Sequence, residues 1–235
     1  ITGSLYGSSA AATAYRNLIS ATSTNIFENE LGVMNRRSIA TNEQLRNGLP
    51  AASTFVTPIP AGNTLASQLN VVARMIAGRT ALGTNRQVFL VSLGGFDNHD
   101  DLLTQQSLRL GMVDGAIDAF WSWLGEIGMQ SDVTLFTASD FGRTLTSNGD
   151  GSDHGWGSHH IVVGGGIAGG TIVGEFPPTA YGTSADIGQG NLLPTTSVEQ
   201  YAGTFARWLG VADSSLPTVL PNIGNFATPS LPLYA

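Results

Sequence analysis

The chain of 235 residues contains no cysteine and no lysine. The lack of cysteine excludes disulfide bonds, thiolate metal ligands and cysteine nucleophiles. All 10 basic residues are therefore arginines, and together with 17 acidic residues they give a formal net charge of −7. An acidic chain without a basic stripe argues against nucleic acid or an anionic membrane as a partner.

Long apolar runs are also missing. No stretch approaches the roughly 18–20 consecutive apolar residues of a transmembrane helix, so we expect a protein that is not transmembrane. The sequence starts at Ile1 without an initiator methionine or a signal peptide. Two explanations of this start at Ile1 are open. The chain is a mature or truncated piece of a longer protein, or a disordered start has been omitted. The polar, lysine-free, acidic composition favours an exported bacterial protein, periplasmic or extracellular, over a cytosolic one.

Apolar runs of strand length alternate with segments of helical periodicity. A helix is expected after a cap at Asn63 or Thr64, with Leu65, Leu69, Val72, Met75 and Ile76 on one face. Two further helices are predicted near residues 101–129 and 195–210. In the last of these, Ser197 and Gln200 form a capping box and Gly210 ends the helix. Buried strands are predicted for "RQVFLVSLGG" (86–95), "DVTLFTASD" (132–140) and "HIVVGG" (160–165).

Strands joined by crossovers of this length normally pair in parallel. The sequence therefore predicts an α/β fold with a mostly parallel sheet flanked by helices. Residues 1–63 form an N-terminal helical and loop segment in this interpretation, and residues 64–235 form the α/β core of a single domain.

All four histidines lie in two short windows, "GGFDNHDD" (94–101) and "GDGSDHGWGSHH" (149–160). Each window also carries aspartates, and another aspartate follows the second predicted strand. Ligands gather outside the carboxyl ends of strands in parallel sheets. Imidazole with carboxylate suits Zn²⁺ or Mn²⁺, and Mg²⁺ or Ca²⁺ where oxygens dominate. The candidate metal ligands are Asp97, His99, Asp140, Asp153, His154 and His159.

Each of these motifs also has a structural interpretation. An Asp-x-His sequence in a loop is often a solvated turn, and an aspartate after a strand is often a helix cap. Arg143 is the candidate catalytic residue, because a guanidinium can clamp a phosphate or sulfate oxygen. A salt bridge to Asp140 or a neighbouring acid is the alternative role for this arginine.

Several long motifs resemble one bacterial family. "RQVFLVSLGGFDNHDDL", "ASDFGRT", "GSDHGWGSHHIVVGGGIAGG" and "GEFPP" are similar to the DUF1501 family, and the resemblance extends from about Leu65 to Leu209. That family is grouped with the alkaline phosphatase and sulfatase superfamily. The resemblance therefore implies an alkaline phosphatase-like fold, incomplete at its N-terminus, with divalent metals at the strand ends and a twin-arginine export signal.

The resemblance also implies roles for individual residues. Asp97 and His99 resemble a ligand pair that is more widely spaced in those hydrolases, and Asp140 resembles the aspartate at another strand end. Either Asp153 with His154, or His159, resembles the last ligand histidine. Two departures stand out: Phe141 occupies the position of a ligand histidine, and residues 1–60 contain no counterpart of the superfamily's nucleophile.

Two functions therefore remain open, and with them whether the protein is an enzyme. One is an exported metal-dependent hydrolase acting on small anionic phosphate or sulfate esters. The other is a non-catalytic surface or accessory subunit that keeps the fold. In that case, a protein partner or a cleaved N-terminal segment would complete the sheet.

The glycines Gly164, Gly166 and Gly169 match the G-x-G-x-x-G pattern of dinucleotide-binding proteins. That pattern requires a helix directly after the glycines, because the pyrophosphate lies at the helix N-terminus. Here "TIV" favours a strand and Pro177 and Pro178 prevent a helix. The glycines therefore predict a tight turn rather than a cofactor site.

Overall fold

The computed structural model of the protein describes residues 3–234. The chain divides into two compact units, Ile1–Thr54 with Val71–Gln87 and Phe55–Asn70 with Val88–Ala235. The α-helices of the described residues are α1 Ser9–Ile19, α2 Ile26–Gly48, α3 Thr64–Ala77, α4 Arg79–Leu82, α5 Leu102–Glu126, α6 Val198–Trp208 and α7 Leu216–Val219. The strands are β1 Thr134–Phe136, β2 Gly142–Ser147, β3 Ser152–Gly155 and β4 Val162–Gly164. Single 3₁₀ turns occur at Ala52–Thr54, Gln130–Asp132, Asp213–Ser215 and Ile223–Asn225.

The first unit is built from α1, α2, α4 and the second half of α3. The side chain of Asn25 accepts hydrogen bonds from the N–H groups of Phe27 and Glu28, which starts α2. At the other end of α2, Gly48 lies so close to Gly78 that a Cβ on Gly78 would overlap the carbonyl oxygen of Gly48. The guanidinium of Arg74 donates to the carbonyl of Pro50 at 2.6 Å, which ties the end of this helix to α3.

The core of the second unit lies along α5. Trp123 and Leu124 are fully buried there, and the indole N–H of Trp123 donates to the carbonyl of Thr57 at 2.8 Å. Asn63 caps α3, as the sequence predicts, because its side-chain oxygen accepts from the N–H of Ala66. Its amide group also donates to the carbonyl of Met112 at 2.7 Å, which joins the start of α3 to α5.

The sheets are small and antiparallel. Strand β1 pairs with β4, and Leu135 lies opposite Val163. Strand β2 pairs with β3, with Arg143 opposite His154 and a register shift before Ser147. Among the described residues each sheet contains these two strands and no others.

The predicted mostly parallel α/β sheet is therefore wrong, and with it the alkaline phosphatase-like architecture. The chain between β1 and β4 forms the β2–β3 hairpin instead of a crossover helix, so β4 returns antiparallel to β1. Two of the three predicted strands exist as shorter elements, but residues 87–98 have no regular secondary structure. Val88 and Leu90, expected to be buried, are 77% and 97% exposed.

The three predicted helices are confirmed as α3, α5 and α6. The capping box of Ser197 and Gln200 at the start of α6 is present. None of the helices in residues 3–234 combines the length and apolar character needed to cross a membrane.

The glycine-rich stretch after β4 begins with a turn in which the N–H of Ile167 donates to the carbonyl of Gly164. Gly165 packs against Gln130, where a Cβ atom would lie 2.8 Å from the carbonyl oxygen. The next described α-helix begins only at Val198. The turn predicted at these glycines is confirmed, but residues 171–173, expected to favour a strand, have no regular secondary structure.

Candidate metal centre

Two imidazoles and a carboxylate converge in the second unit. The side chains of Asp97, His99 and His154 each offer one ligand atom, and these atoms all lie within 4.8 Å of one another. The Oδ1 atom of Asp97 is 2.6 Å from Nε2 of His154 and 3.1 Å from Nε2 of His99. We call these three residues the Asp97 cluster.

Two segments far apart in the sequence build the cluster. Asp97 and His99 lie in the loop that precedes α5, and His154 lies on β3. The N–H of Leu102 donates to the carbonyl of Asp150 at 3.0 Å, which joins that loop to the β2–β3 turn. Gly151 in this turn lies directly against His99, since a Cβ there would overlap the His99 carbonyl oxygen. Glycine at this position therefore permits the close approach of the two segments.

Arg143 holds the same two segments together. Its guanidinium donates to the carbonyl of Phe96 and to the carbonyl of Ser152, each at 2.6 Å. The guanidinium also lies 3.8 Å from the carboxylate of Asp97, and the side chain is only 18% exposed. Two of its N–H donors are therefore committed to backbone oxygens.

Phe141 orients His154. The two rings are stacked with centroids 4.0 Å apart and an angle of 8° between their planes. The guanidinium of Arg143 lies 5.2 Å from the centre of the Phe141 ring on the same hairpin. The phenyl ring at this position is thus a support for a histidine of the cluster.

The charges around Asp97 keep it ionised. The hydrogen bond from His154 holds the pKa of the Asp97 carboxyl below its usual value, against a smaller opposing effect of desolvation. The positive charges of His154, His99 and Arg143 act in the same direction. The carboxylate is therefore anionic at neutral pH, which is the form that binds a cation.

Asp153 contacts the cluster through His99. Its Oδ1 atom is 3.4 Å from Nδ1 of His99, whereas Nε2 of the same ring faces Asp97. The amide of Asn148 lies 3.4 Å from the same oxygen of Asp153.

The other predicted ligands lie outside the cluster. Asp140 and His159 are exposed, and neither belongs to the one group of potential metal-binding side chains found among residues 3–234. The ring of His159 stacks on Phe176 with centroids 5.2 Å apart. Its neighbour His160 stacks on Tyr201, and partial burial lowers the pKa of this imidazole, with the charge of His159 adding to the effect.

Sequence reasoning missed two residues near the cluster. The sequence does not indicate that Phe141 supports His154. In the sequence, Phe141 is notable only because it occupies the position of a ligand histidine. Arg109 does have a signal, since the helical positions three and four residues away from it carry no acid. Its guanidinium lies against Gly95, two residues before Asp97.

The fold and the cluster together define a mainly helical protein with a candidate metal centre of two histidines and one aspartate. The family model described as "Protein of unknown function (DUF1501)" matches residues 35–216. This is most of the chain, so the protein belongs to the DUF1501 family. No curated protein and no solved structure matches the chain.

Proposed function

We propose that this protein binds one divalent cation through Asp97, His99 and His154 and hydrolyses phosphate or sulfate esters with it. The observation that carries the proposal is the meeting of three metal-binding side chains from two distant segments within 4.8 Å. The ester chemistry rests on the grouping of the DUF1501 family with phosphate and sulfate ester hydrolases, and the metal rests on the cluster.

The donor set fits a small divalent cation. Ligands at the usual distances from a tetrahedral Zn²⁺ lie about 3.3 Å from one another. The Asp97 carboxylate is 3.1 Å from His99 and 2.6 Å from His154, so each of these nitrogens needs to move away from the carboxylate by less than an ångström. Two imidazoles and one carboxylate favour Zn²⁺ or Mn²⁺ over the oxygen-seeking Mg²⁺ and Ca²⁺.

The protein's own residues prepare the site. When bound, a divalent cation supplies Lewis-acid polarisation of an ester oxygen and makes water a better nucleophile at neutral pH. Asp97 contributes the negative charge that attracts the cation, and Arg143 holds the Asp97 loop against β3. Phe141 fixes the plane of the His154 ring.

Metal binding is tested first. Purified protein loaded with Zn²⁺ or Mn²⁺ and then desalted should retain about one equivalent of metal, the number of ions that one cluster of three protein ligands holds. Asp97→Asn should lose that metal, because the neutral amide is a poor ligand. Asp140→Asn is the matched control, since this exposed aspartate lies outside the cluster, and it should bind metal as the wild type does. If Asp97→Asn binds as much metal as the wild type, the metal binds outside the Asp97 cluster.

Hydrolysis is tested with aryl phosphates and aryl sulfates. Turnover should depend on added metal, be abolished by a chelator, and be lost in His154→Ala. A protein that retains metal at the cluster but hydrolyses neither ester would refute the hydrolase proposal and leave the metal site standing.

A non-catalytic accessory role is the second candidate. The exposed side chains of Val88 and Leu90 favour it, because exposed apolar surface commonly marks a protein contact. Co-purification of a stable partner with an esterase-inactive protein supports this candidate, and a monomer with metal-dependent turnover argues against it. For either role we propose a periplasmic or extracellular location, which fractionation of cells that make the native protein tests.

A further inference from the structure

A second arginine lies close to the Asp97 cluster. Arg109 is on α5, and its guanidinium packs against the backbone of Gly95. A Cβ atom at Gly95 would lie 2.5 Å from Nε and 2.8 Å from Cζ of Arg109. Gly95 also has a φ of +91°, a conformation that glycine adopts readily. The missing side chain of Gly95 thus provides the space in which the guanidinium lies.

The positive charge of Arg109 has no counter-charge among residues 3–234. Its Nε atom is buried without a hydrogen-bond partner, and Nη1 donates a long hydrogen bond to the Sδ atom of Met112 at 3.7 Å. None of the ion pairs of the described residues includes it. Its helical neighbours three and four residues away are uncharged: Gln105, Gln106, Met112 and Val113. A partly buried guanidinium without a partner is costly unless a ligand supplies the acceptor.

The two arginines near the cluster differ in their hydrogen bonds. Arg143 donates to the carbonyls of Phe96 and Ser152, whereas Arg109 leaves Nε unbonded. Since Gly95 and Asp97 are two residues apart, their Cα atoms are at most about 7 Å apart. An anion on Arg109 would therefore lie beside the Asp97 cluster.

We propose that Arg109 and the backbone at Gly94 and Gly95 form a binding site for a tetrahedral oxyanion, sulfate or phosphate. The N–H groups of both glycines donate to no described residue, so they are free to add to the guanidinium donors. A planar guanidinium with parallel N–H groups matches two oxygens of such an anion. This inference rests on the proposed function in one respect: it identifies the bound anion with the phosphate or sulfate group of the ester substrate.

The first test uses protein freed of metal by dialysis against metal-free buffer, so the result does not depend on the cation site. Inorganic sulfate is titrated by calorimetry at low ionic strength into the wild type, Arg109→Gln and Arg86→Gln. The wild type should bind saturably, and Arg109→Gln should bind roughly tenfold more weakly or worse, as the loss of a charged hydrogen-bond donor implies. Arg86→Gln removes the same charge from an exposed side chain without a described partner and should bind like the wild type. No saturable binding by the wild type, or equal binding by Arg109→Gln, would overturn the inference.

A second measurement is made on the wild type itself, in case Arg109→Gln does not fold. The Nε–H resonance of Arg109 is assigned as the signal absent from the ¹⁵N spectrum of Arg109→Lys. It should shift saturably when sulfate is added to the metal-free protein. A stationary Arg109 resonance while sulfate binds would show that the anion lies elsewhere. Metal binding without sulfate binding would refute this inference alone, and sulfate binding without metal binding would refute the proposed cation site alone.

Discussion

At the scale of single residues, the two nitrogens of His99 face two different carboxylates. Nδ1 is 3.4 Å from Asp153 and Nε2 is 3.1 Å from Asp97. Metal-binding histidines commonly donate one ring N–H to an outer carboxylate, which leaves the lone pair of the other nitrogen for the cation. We therefore infer that Asp153 sets the tautomer of His99 rather than binding the cation itself.

Asp153→Asn should weaken metal binding without abolishing it. The amide keeps an oxygen near Nδ1 but loses the charge that favours the Nδ1–H tautomer, and such outer partners contribute roughly 10- to 100-fold to metal affinity. Competition with a chromophoric zinc chelator measures the change. Asp140→Asn should retain wild-type affinity, since it removes an exposed acid outside the cluster. Full affinity in Asp153→Asn would show that His99 needs no outer carboxylate.

The sequence predicted the types of residue in the site better than their arrangement. Asp97, His99 and His154 could be identified because each lies in a short window that combines histidine with acid. His159 shares those features and Asp140 ends a predicted strand, and only folding separates these two residues from the cluster. The partners of Arg143 were not predictable, because backbone carbonyls accept from its guanidinium and every residue carries a carbonyl.

At the scale of secondary-structure elements, α6 has the clearest local determinants. The Oγ atom of Ser197 accepts from the N–H of Gln200 at 3.0 Å, and the Gln200 side chain accepts from the N–H of Ser197 at 3.1 Å. These bonds satisfy donors that a helix N-terminus otherwise leaves free. The side-chain amide of Gln200 also donates to the carbonyl of Thr228, so the cap joins α6 to the C-terminal loop.

Ser197→Ala should destabilise the protein by about 1 kcal/mol, the usual cost of losing an N-cap side chain. For a chain of this size, that corresponds to a fall in Tm of about 2–4 °C. Thermal unfolding followed by circular dichroism measures the shift. Ser184→Ala, at an exposed serine without a described hydrogen-bond partner, is the control and should leave Tm unchanged. An equal fall in both variants would remove the cap as the cause.

The loop between β4 and α6 is organised around Asp186. Its carboxylate accepts hydrogen bonds from the N–H groups of Gly182, Gly188 and Gly190 at 2.9–3.0 Å. The bonds from Gly182 and Gly188 are the main reason that the pKa of Asp186 lies below its usual value. The folded loop therefore binds the ionised form better than the unfolded chain does.

The stabilisation from Asp186 should disappear in acid. Above the unfolded pKa, near 3.8, both states are ionised and the full contribution is present. As the pH falls through the folded pKa, the native carboxylate is protonated and the contribution is lost. Urea denaturation measures the free energy of unfolding of the wild type and of Asp186→Asn. The difference between the two should therefore be smaller at a pH below the folded pKa than at neutral pH. A difference that is constant with pH would contradict the proposed role.

Helices and strands differed in how well the sequence predicted them. The determinants of α3 and α6 are local: a capping side chain and an apolar face within one segment. Helix α5 is predictable from its apolar periodicity, since Asp101 makes no side-chain cap hydrogen bond. The strands depend on partners elsewhere in the chain, which the sequence does not specify. The composition of the apolar run 86–95 predicts a buried strand, yet its Ser92 is hydrogen-bonded to the side-chain amide of Gln68 instead of a neighbouring strand.

At the scale of the whole molecule, the segment of residues 88–93 exposes two large apolar side chains to water, those of Val88 and Leu90. The backbone of residues 88–91 makes no hydrogen bond to another residue in the range 3–234. Extended chain with free N–H and C=O groups and apolar side chains tends to pair with other extended chain. We therefore expect this segment to promote self-association of the isolated protein.

The double variant Val88→Lys/Leu90→Lys should reduce concentration-dependent association without lowering Tm. Both side chains are exposed, so charging them costs little in the folded protein, and lysine on free extended chain opposes edge-to-edge pairing. Sedimentation velocity over a range of concentrations measures the association. The double variant Leu103→Lys/Ile172→Lys adds the same charge at exposed apolar positions outside the segment and should associate like the wild type. Equal suppression by both variants would assign the effect to net charge. A large loss of Tm in the first variant would mean that the segment is buried in the protein in solution.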